Sequence, residues 1–527
     1  MMPSDTYKIV IHADKMPAGK HVRRFNAPTI DEVAIVIVGD QFQPRDIVLH
    51  RRNDQLTIVA ETHRCYDALQ YPIIFWDGAD GYHFNLKMIN PVSGKGTNMK
   101  CSAMNYYSYR LMIRENEDNH ILKCRQLFHQ YIVDMYAKIE TERLIFIRLN
   151  QTKLRSEEYI HLRDAVVNDG SPHHMHEYAQ DAIAYVRHYG RPELFITFTC
   201  NSAWDDIQQL LLPGQSPVDR HDITAHVFRQ KLKSLMDFMV KHEVFGSVCC
   251  WIYSLEWQKR GLPHAHILIW LYNKITSNEI DDVICTEIPD ANVDKDLHEV
   301  VMKNMIHGPC GTLNPNSPCM IDGKCSKRYP RAFVSNTVTG NDGYPLYRRR
   351  SAEDGSKLAT IQMRNGDIEV DNRWVVPYSP LQSKTYKAHI NVEYCNSVKS
   401  IKYICKYVNK GSDMAVFGMQ PERSDSNAVI HIDEIAQYQA GRYISSNEAV
   451  WRILSFPIHE QSPAVVHLAV HLENGQCIYF AAAIVQQIAL NPPATTLTAF
   501  FTLCQNDAFC ENTAVFRSAY VLHMECE

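Results

Sequence analysis

The stretch at residues 256–271, EWQKRGLPHAHILIWL, limits the fold of this chain more than any other. Ile267, Leu268, Ile269, Trp270 and Leu271 form an apolar run of strand length, entered through a KRGLP turn, and such a run reads as a buried β-strand. Side chains alternate faces along a strand, so His264 and His266 share one face while Ala265 takes the other. Two imidazoles side by side are half of a metal site.

The surrounding segments say what kind of sheet receives that strand. PELFITFTC (192–200) reads as a strand, DITAHVFRQKLKSLMDFMVKHEVFG (222–246) as an amphipathic helix, and SVCCWIYSLEWQ as the strand that leads into the turn. Strand, helix and hairpin in that order predict one antiparallel central sheet with flanking helices, an α+β fold. Helical spacing also runs through NHILKCRQLFHQYIVDMYAKIETERLIFIRLNQ and HEYAQDAIAYVRHYG. Downstream, KAHINVEYC (387–395) predicts a further strand and SVKSIKYICKYVNKG a helix that stops at Gly411. Before residue 110, EVAIVIVG, DIVLHRR, LTIVAET and YPIIFWDGADGYHFNLKMI read as a strand-rich, turn-punctuated and compact β-rich region.

A chain of 527 residues suggests two to four domains at roughly 100 to 200 residues each. The expected division is a β-rich region at 1–110, a helical segment and the first part of the core at 111–275, a Cys/His-containing insert at 276–340, the completion of the core at 341–411, and a mixed C-terminal region at 412–527.

Composition excludes several classes. With 45% hydrophobic and 21% charged residues the chain is of ordinary folded type. Its 16 cysteines are scattered and the N-terminus has no apolar signal core, which favours a reducing compartment. No apolar run approaches the roughly 18 residues of a membrane helix. A net charge of −5 argues against a protein that coats nucleic acid. Between residues 323 and 411, however, 16 Lys or Arg stand against 7 Asp or Glu, and KCSKRYPR and YRRR interleave cations with tyrosines. Such a stretch suits a phosphate backbone and stacked bases, or is a solvated basic face. Arg348, Arg349 and Arg350, with Lys259 and Arg260 in the turn, are its candidate contacts.

Three constellations are able to carry chemistry. The first joins His264 and His266 to Glu256 or Gln258, which share parity on the partner strand, or to the polar row His389, Asn391 and Glu393; with an oxygen ligand added it suits Mg²⁺ or Mn²⁺. The second is Tyr403 and Tyr407, four apart and so on one helical face, with Lys406 and Lys410 nearby. Such a pair is either core packing or a pair of nucleophiles whose phenolates the lysines favour. The third is His307, Cys310, Cys319 and Cys325, which either close a tetrahedral zinc site or stand as free structural cysteines.

Taken together, EWQKRGLPHAHILIWL and the later YICKYVNKG resemble the replication initiator (Rep) part of Helitron transposons, the two-tyrosine branch of the HUH endonuclease superfamily. The likeness extends over RRFNAPTIDEVAIVIVGDQF, YDALQYPIIFW, NYYSYRLMIRENEDNHILKCRQLFHQYIVDMYAKIETERL, PELFITFTCNSAW, MIHGPCG, DNRWVVPYSP and AGRYISSNEAVWRILSFPIHEQSP. That resemblance implies that His264 and His266 bind a divalent metal, and that Tyr403 and Tyr407 attack single-stranded DNA at transposon ends to leave a 5′-phosphotyrosine. It also implies rolling-circle transposition in a nucleus. Full Helitron proteins continue into a helicase, whereas this sequence has no G-x-x-x-x-G-K-[ST]: SGKGTN carries Gly96 and DGKCS carries Cys325 where Ser or Thr belongs. The expectation is therefore a truncated copy without ATPase activity, its helicase supplied in trans. The alternative is a catalytically silent remnant that only binds single-stranded DNA.

Overall fold

The computed structural model describes residues 7–11, 33–36, 45–50, 56–114, 118–149, 172–257, 261–339, 345–363, 366–395, 417–421, 442–465, 471–472 and 495–506. Its centre is a five-stranded, wholly antiparallel sheet. Helix α1 (Arg125–Leu149) and helix α2 (Pro172–Tyr189) precede strand β1 (Leu194–Thr199). Helix α3 (His221–Val240) then leads to the hairpin of β2 (Val248–Trp257) and β3 (Pro263–Leu271). After helices α4 (Lys295–Asn304) and α5 (Pro380–Tyr386) come strand β4 (Ile390–Tyr394), helix α6 (Ser446–Ile453) and strand β5 (His459–Ser462). The strand order is β4-β1-β3-β2-β5, as the expected α+β layout requires.

Strand β3 lies in the middle of the sheet and every one of its residues is buried. One face of the sheet is apolar throughout. Leu194, Ile196 and Phe198 of β1, Tyr253 and Leu255 of β2, and Ala265, Ile267 and Ile269 of β3 join the main core. Helix α1 meets that core through Phe128, Tyr131, Ile132, Met135, Tyr136 and Ile139, whose spacing of three and four residues keeps them on one helical stripe. Helix α3 adds Phe228, Leu232, Leu235 and Met239 by the same rule.

The opposite face is divided. Phe195, Cys250, Ile252, Leu268 and Trp270 lie under Ala182 and Tyr185 of α2. Toward the turn the same face becomes polar, with His264, His266, Ser254 and Glu256. That change of character within one alternating pattern sets the position of the site described below.

The N-terminal stretch departs from expectation. YPIIFWDGADGYHFNLKMI forms turns, and only Lys87–Ile89 is a strand, paired with Gly96–Lys100. Its aromatics serve as anchors instead: the rings of Tyr71 and Phe75 meet that of Tyr131 on α1 at 5.3 and 5.5 Å, and burial there outweighs their strand propensity. Ile47–His50 pairs with Leu56–Val59 inside the region, whereas Val33–Val36 pairs with Arg442–Ser445 and Tyr7–Ile11 with Phe417–Pro421. Strand β5 likewise comes from the segment beyond residue 411. Among the described residues no helix is long and apolar enough to cross a membrane.

Candidate metal centres

Strand register builds the first site. Across the β2/β3 hairpin Glu256 lies opposite His264 and Ser254 opposite His266, while across β1/β3 Thr199 lies opposite His264 and Thr197 opposite His266. Directly opposed residues share a face, so the carboxylate, both imidazoles and the three hydroxyls of Ser254, Thr197 and Thr199 emerge together. Glu256 Oε2 is 3.4 Å from His264 Nε2 and 3.1 Å from His266 Nε2. The two imidazole rings meet edge to face at 4.7 Å, and Phe195 lies parallel to His266 on its other side at 5.7 Å.

Three donor atoms thus converge from two adjacent strands. Burial lowers the pKa of His264 to about 4, so its ring is neutral near pH 7, the form a metal ligand needs. Its Nδ1 is buried without a hydrogen-bond partner among the described residues. Thr197 Oγ1 is 3.2 Å from His266 Nδ1, where it accepts the Nδ1–H once Nε2 is given to a cation. These residues fit a divalent ion: one carboxylate oxygen and two imidazoles at the turn end of the β2/β3 hairpin.

Of the other residues considered for this site, Gln258 lies outside the described residues. The row on β4 does share the face, Asn391 being opposite Thr197. Its members are engaged locally: His389 Nδ1 is 2.9 Å from the Asn304 carbonyl oxygen, and the Asn391 amide donates to Glu393 at 3.0 Å. Burial pushes His389 below the usual imidazole value against the pull of that carbonyl, with His264 and Lys327 adding in the same direction. Tyr403, Lys406, Tyr407 and Lys410 also lie outside the described residues, as do Lys259 and Arg260.

The second constellation converges as well. One ligand atom from each of His307, Cys310, Cys319 and Cys325 lies within 4.8 Å of every other, and Cys325 Sγ is 3.5 Å from His307 Nε2. The cysteines are free thiols. Burial raises Cys310 to about 12, with Cys319 and Cys325 pushing the same way. Cys325 moves down, because the backbone N–H groups of Tyr329 and Lys327 together with the neighbouring thiols outweigh its burial.

The structure sets the three arginines in different surroundings, and only Arg349 is buried. Arg349 is buried and donates to the carbonyls of Asn372 and Val375 at 2.5 and 2.7 Å, so it holds the fold together and is closed to DNA. Arg350 is bound through two nitrogens by Glu287 at 2.8 and 2.6 Å, and Arg348 lies 3.6 Å from both Asp281 and Glu287. Thr197 is the residue that sequence reasoning passed over. Its signal was present: Thr197 and Thr199 are the only polar positions within an otherwise apolar β1.

The fold is α+β, and at two separate places it brings together side chains whose donor atoms could serve as metal ligands. Residues 106–269, from the segment before α1 to the histidine strand, match the model of the Helitron helicase-like domain at N-terminus, so this part of the chain is similar to that domain. The match contains Glu256, His264 and His266. None of the curated proteins matches the chain.

Proposed function

We propose that this protein is a metal-dependent tyrosine nuclease and strand transferase of the HUH type, acting on single-stranded DNA at transposon ends. The observation that carries the reading is the meeting of Glu256 Oε2 with the Nε2 atoms of His264 and His266 on the polar end of the sheet. The Helitron domain match over the same strands supports it.

In this reading Glu256, His264 and His266 hold Mg²⁺ or Mn²⁺, which supplies Lewis-acid polarisation of the scissile phosphate. Tyr403 and Tyr407 are the nucleophiles, and Lys406 and Lys410 favour their phenolate forms. The tyrosine Oη forms a bond to phosphorus as the P–O3′ bond breaks. The phenolic proton is lost, the departing 3′ oxygen gains one, and the 5′ phosphate stays on the enzyme. Because one phosphodiester has replaced another, a second 3′-hydroxyl reverses the step and joins strands without ATP. Thr197 keeps the His266 ring in register, and the buried apolar face behind β3 prevents the histidine strand from shifting.

The test is incubation of the protein with end-labelled single-stranded DNA and Mn²⁺, followed by a denaturing gel. A covalent adduct is expected from the wild type and is expected to vanish in Tyr403→Phe/Tyr407→Phe and with chelator. DNA binding without any adduct, in a protein that still binds Mn²⁺, overturns the nuclease and leaves a binding protein.

A further inference from the structure

The segment between α4 and Val338 lacks what normally holds a polypeptide in place. From Met305 to Thr337 its only regular elements are two strands of two residues each, Met320–Ile321 and Lys324–Cys325. The apolar cluster beneath it has only three buried members, Cys310, Val370 and Trp374. An ordered stretch of this length without secondary structure or core is uncommon in a compact domain, and one with neither needs a cross-link.

The backbone is shaped to provide one. Met320 pairs with Cys325 and Ile321 with Lys324, so the hairpin loop is Asp322-Gly323, and both loop residues have positive φ, 50° and 74°. That is the Asp-Gly two-residue turn of a tight hairpin, and it sets Cys319 and Cys325 at its open end. The Ser326 N–H donates to the Cys319 carbonyl at 2.8 Å, which fixes the pair. The other two ligands come from the chain leaving α4. The His307 N–H donates to the Trp374 carbonyl at 2.8 Å, and the His307 ring lies on that of Tyr329 at 4.3 Å, which directs Nε2 toward Cys325.

The geometry points to a structural Zn²⁺ site formed by His307, Cys310, Cys319 and Cys325, closing this loop in place of a hydrophobic core. Three thiolates and one imidazole are a common tetrahedral zinc set, and with four protein ligands no position is left for a reacting water. Binding releases the protons of the three thiols, so the site tightens with rising pH. This inference does not rest on the nuclease reading, because the two clusters share no residue and the Helitron match ends before His307.

The experiment is elemental analysis of the full chain purified without chelator, with Co²⁺ exchanged in as a spectroscopic probe. One zinc per chain is expected, retained in Glu256→Ala/His264→Ala/His266→Ala and lost in Cys319→Ser. Co²⁺ is expected to show thiolate charge-transfer bands and the intense visible bands of a tetrahedral site. Should Cys319→Ser fail to fold, His307→Cys supplies the second test: it is expected to keep the metal and move the cobalt spectrum toward that of four sulfurs. Metal-free folded protein, a disulfide among Cys310, Cys319 and Cys325 in mass spectra, an iron–sulfur chromophore, or zinc that leaves with the Glu256/His264/His266 variant would each overturn the assignment.

Discussion

Thr197→Val isolates the support of the β-sheet metal centre from its ligands. Valine keeps the branched shape that suits a strand and removes only the hydroxyl, which lies 3.2 Å from His266 Nδ1. His266 is buried, and the substitution takes from its Nδ1 the hydroxyl that would orient the ring when Nε2 faces a metal. Loss of such an orienting hydrogen bond lowers metal affinity by about 10- to 100-fold, equivalent to about 1.4 to 2.7 kcal/mol. Fold stability should fall by only about 1 kcal/mol, the net value of one hydrogen bond. Titration calorimetry with Mn²⁺ reads the first quantity, and urea unfolding in chelator reads the second. Thr197→Ser keeps the hydroxyl and is expected to bind close to wild type, while Glu256→Ala removes an oxygen ligand and is expected to bind least. If Thr197→Val binds Mn²⁺ as the wild type does while Glu256→Ala does not, the threonine does not orient the histidine and the reasoning fails.

Two further predictions concern the helical layer behind the sheet. Lys138 is buried 3.5 Å from buried Asp67 and donates to the Tyr107 hydroxyl at 3.0 Å, so Lys138→Met leaves an uncompensated carboxylate and should cost about 3 to 5 kcal/mol. A urea midpoint within experimental error of wild type would contradict this, and Lys138→Met/Asp67→Leu should recover much of the loss. The second is an acid instability. The rings of His129 and His221 stack at 3.9 Å, with burial lowering His129 to about 4 against the pull of Asp222 and Asp219, and burial and His129 lowering His221 further. Because the folded pKa lies below the unfolded one, the unfolded chain binds more protons, and the stability present above about pH 6.5 is lost as pH falls toward about 4. His129 alone should contribute a loss of about 2 kcal/mol between pH 7 and pH 5. Urea midpoints of wild type and His129→Gln at the two pH values measure it, and equal shifts in both proteins would refute it.

Where the sequence was legible, the pattern came from burial with a single period. The histidine strand, its hairpin partner and helices α1 and α3 have clear alternation or helical spacing, because each presents one face to the same core. Glu256 was reachable from parity alone, since a two-residue period fixes which side chains share a face. Its preference over the row on β4 was not, because the Asn304 carbonyl that engages His389 comes from a segment distant in sequence. The N-terminal stretch misled for a related reason: Tyr71, Ile74, Phe75 and Tyr82 are apolar because they reach down onto α1, and a turn can present such anchors as well as a strand can.

The basic stretch shows how far charge along a sequence can differ from charge on a surface. Its surplus between residues 323 and 411 lies opposite the acidic segment that follows β3: Arg350 meets Glu287, Lys357 meets Asp290 and Lys384 meets Asp294. These pairs, with Arg349 buried against carbonyls, neutralise charge that a linear count assigns to a partner. Lys324, Lys327 and Arg328, all on the cysteine loop, form no salt bridge among the described residues. Lys327 also lies close enough to lower the pKa of both His307 and His389, placing it between the cysteine cluster and the polar edge of the sheet. Among the described residues, cations that these pairs leave unmatched thus lie on the loop with the least core of its own, so the proposed cross-link at His307, Cys310, Cys319 and Cys325 would also fix where that charge sits relative to the histidine strand.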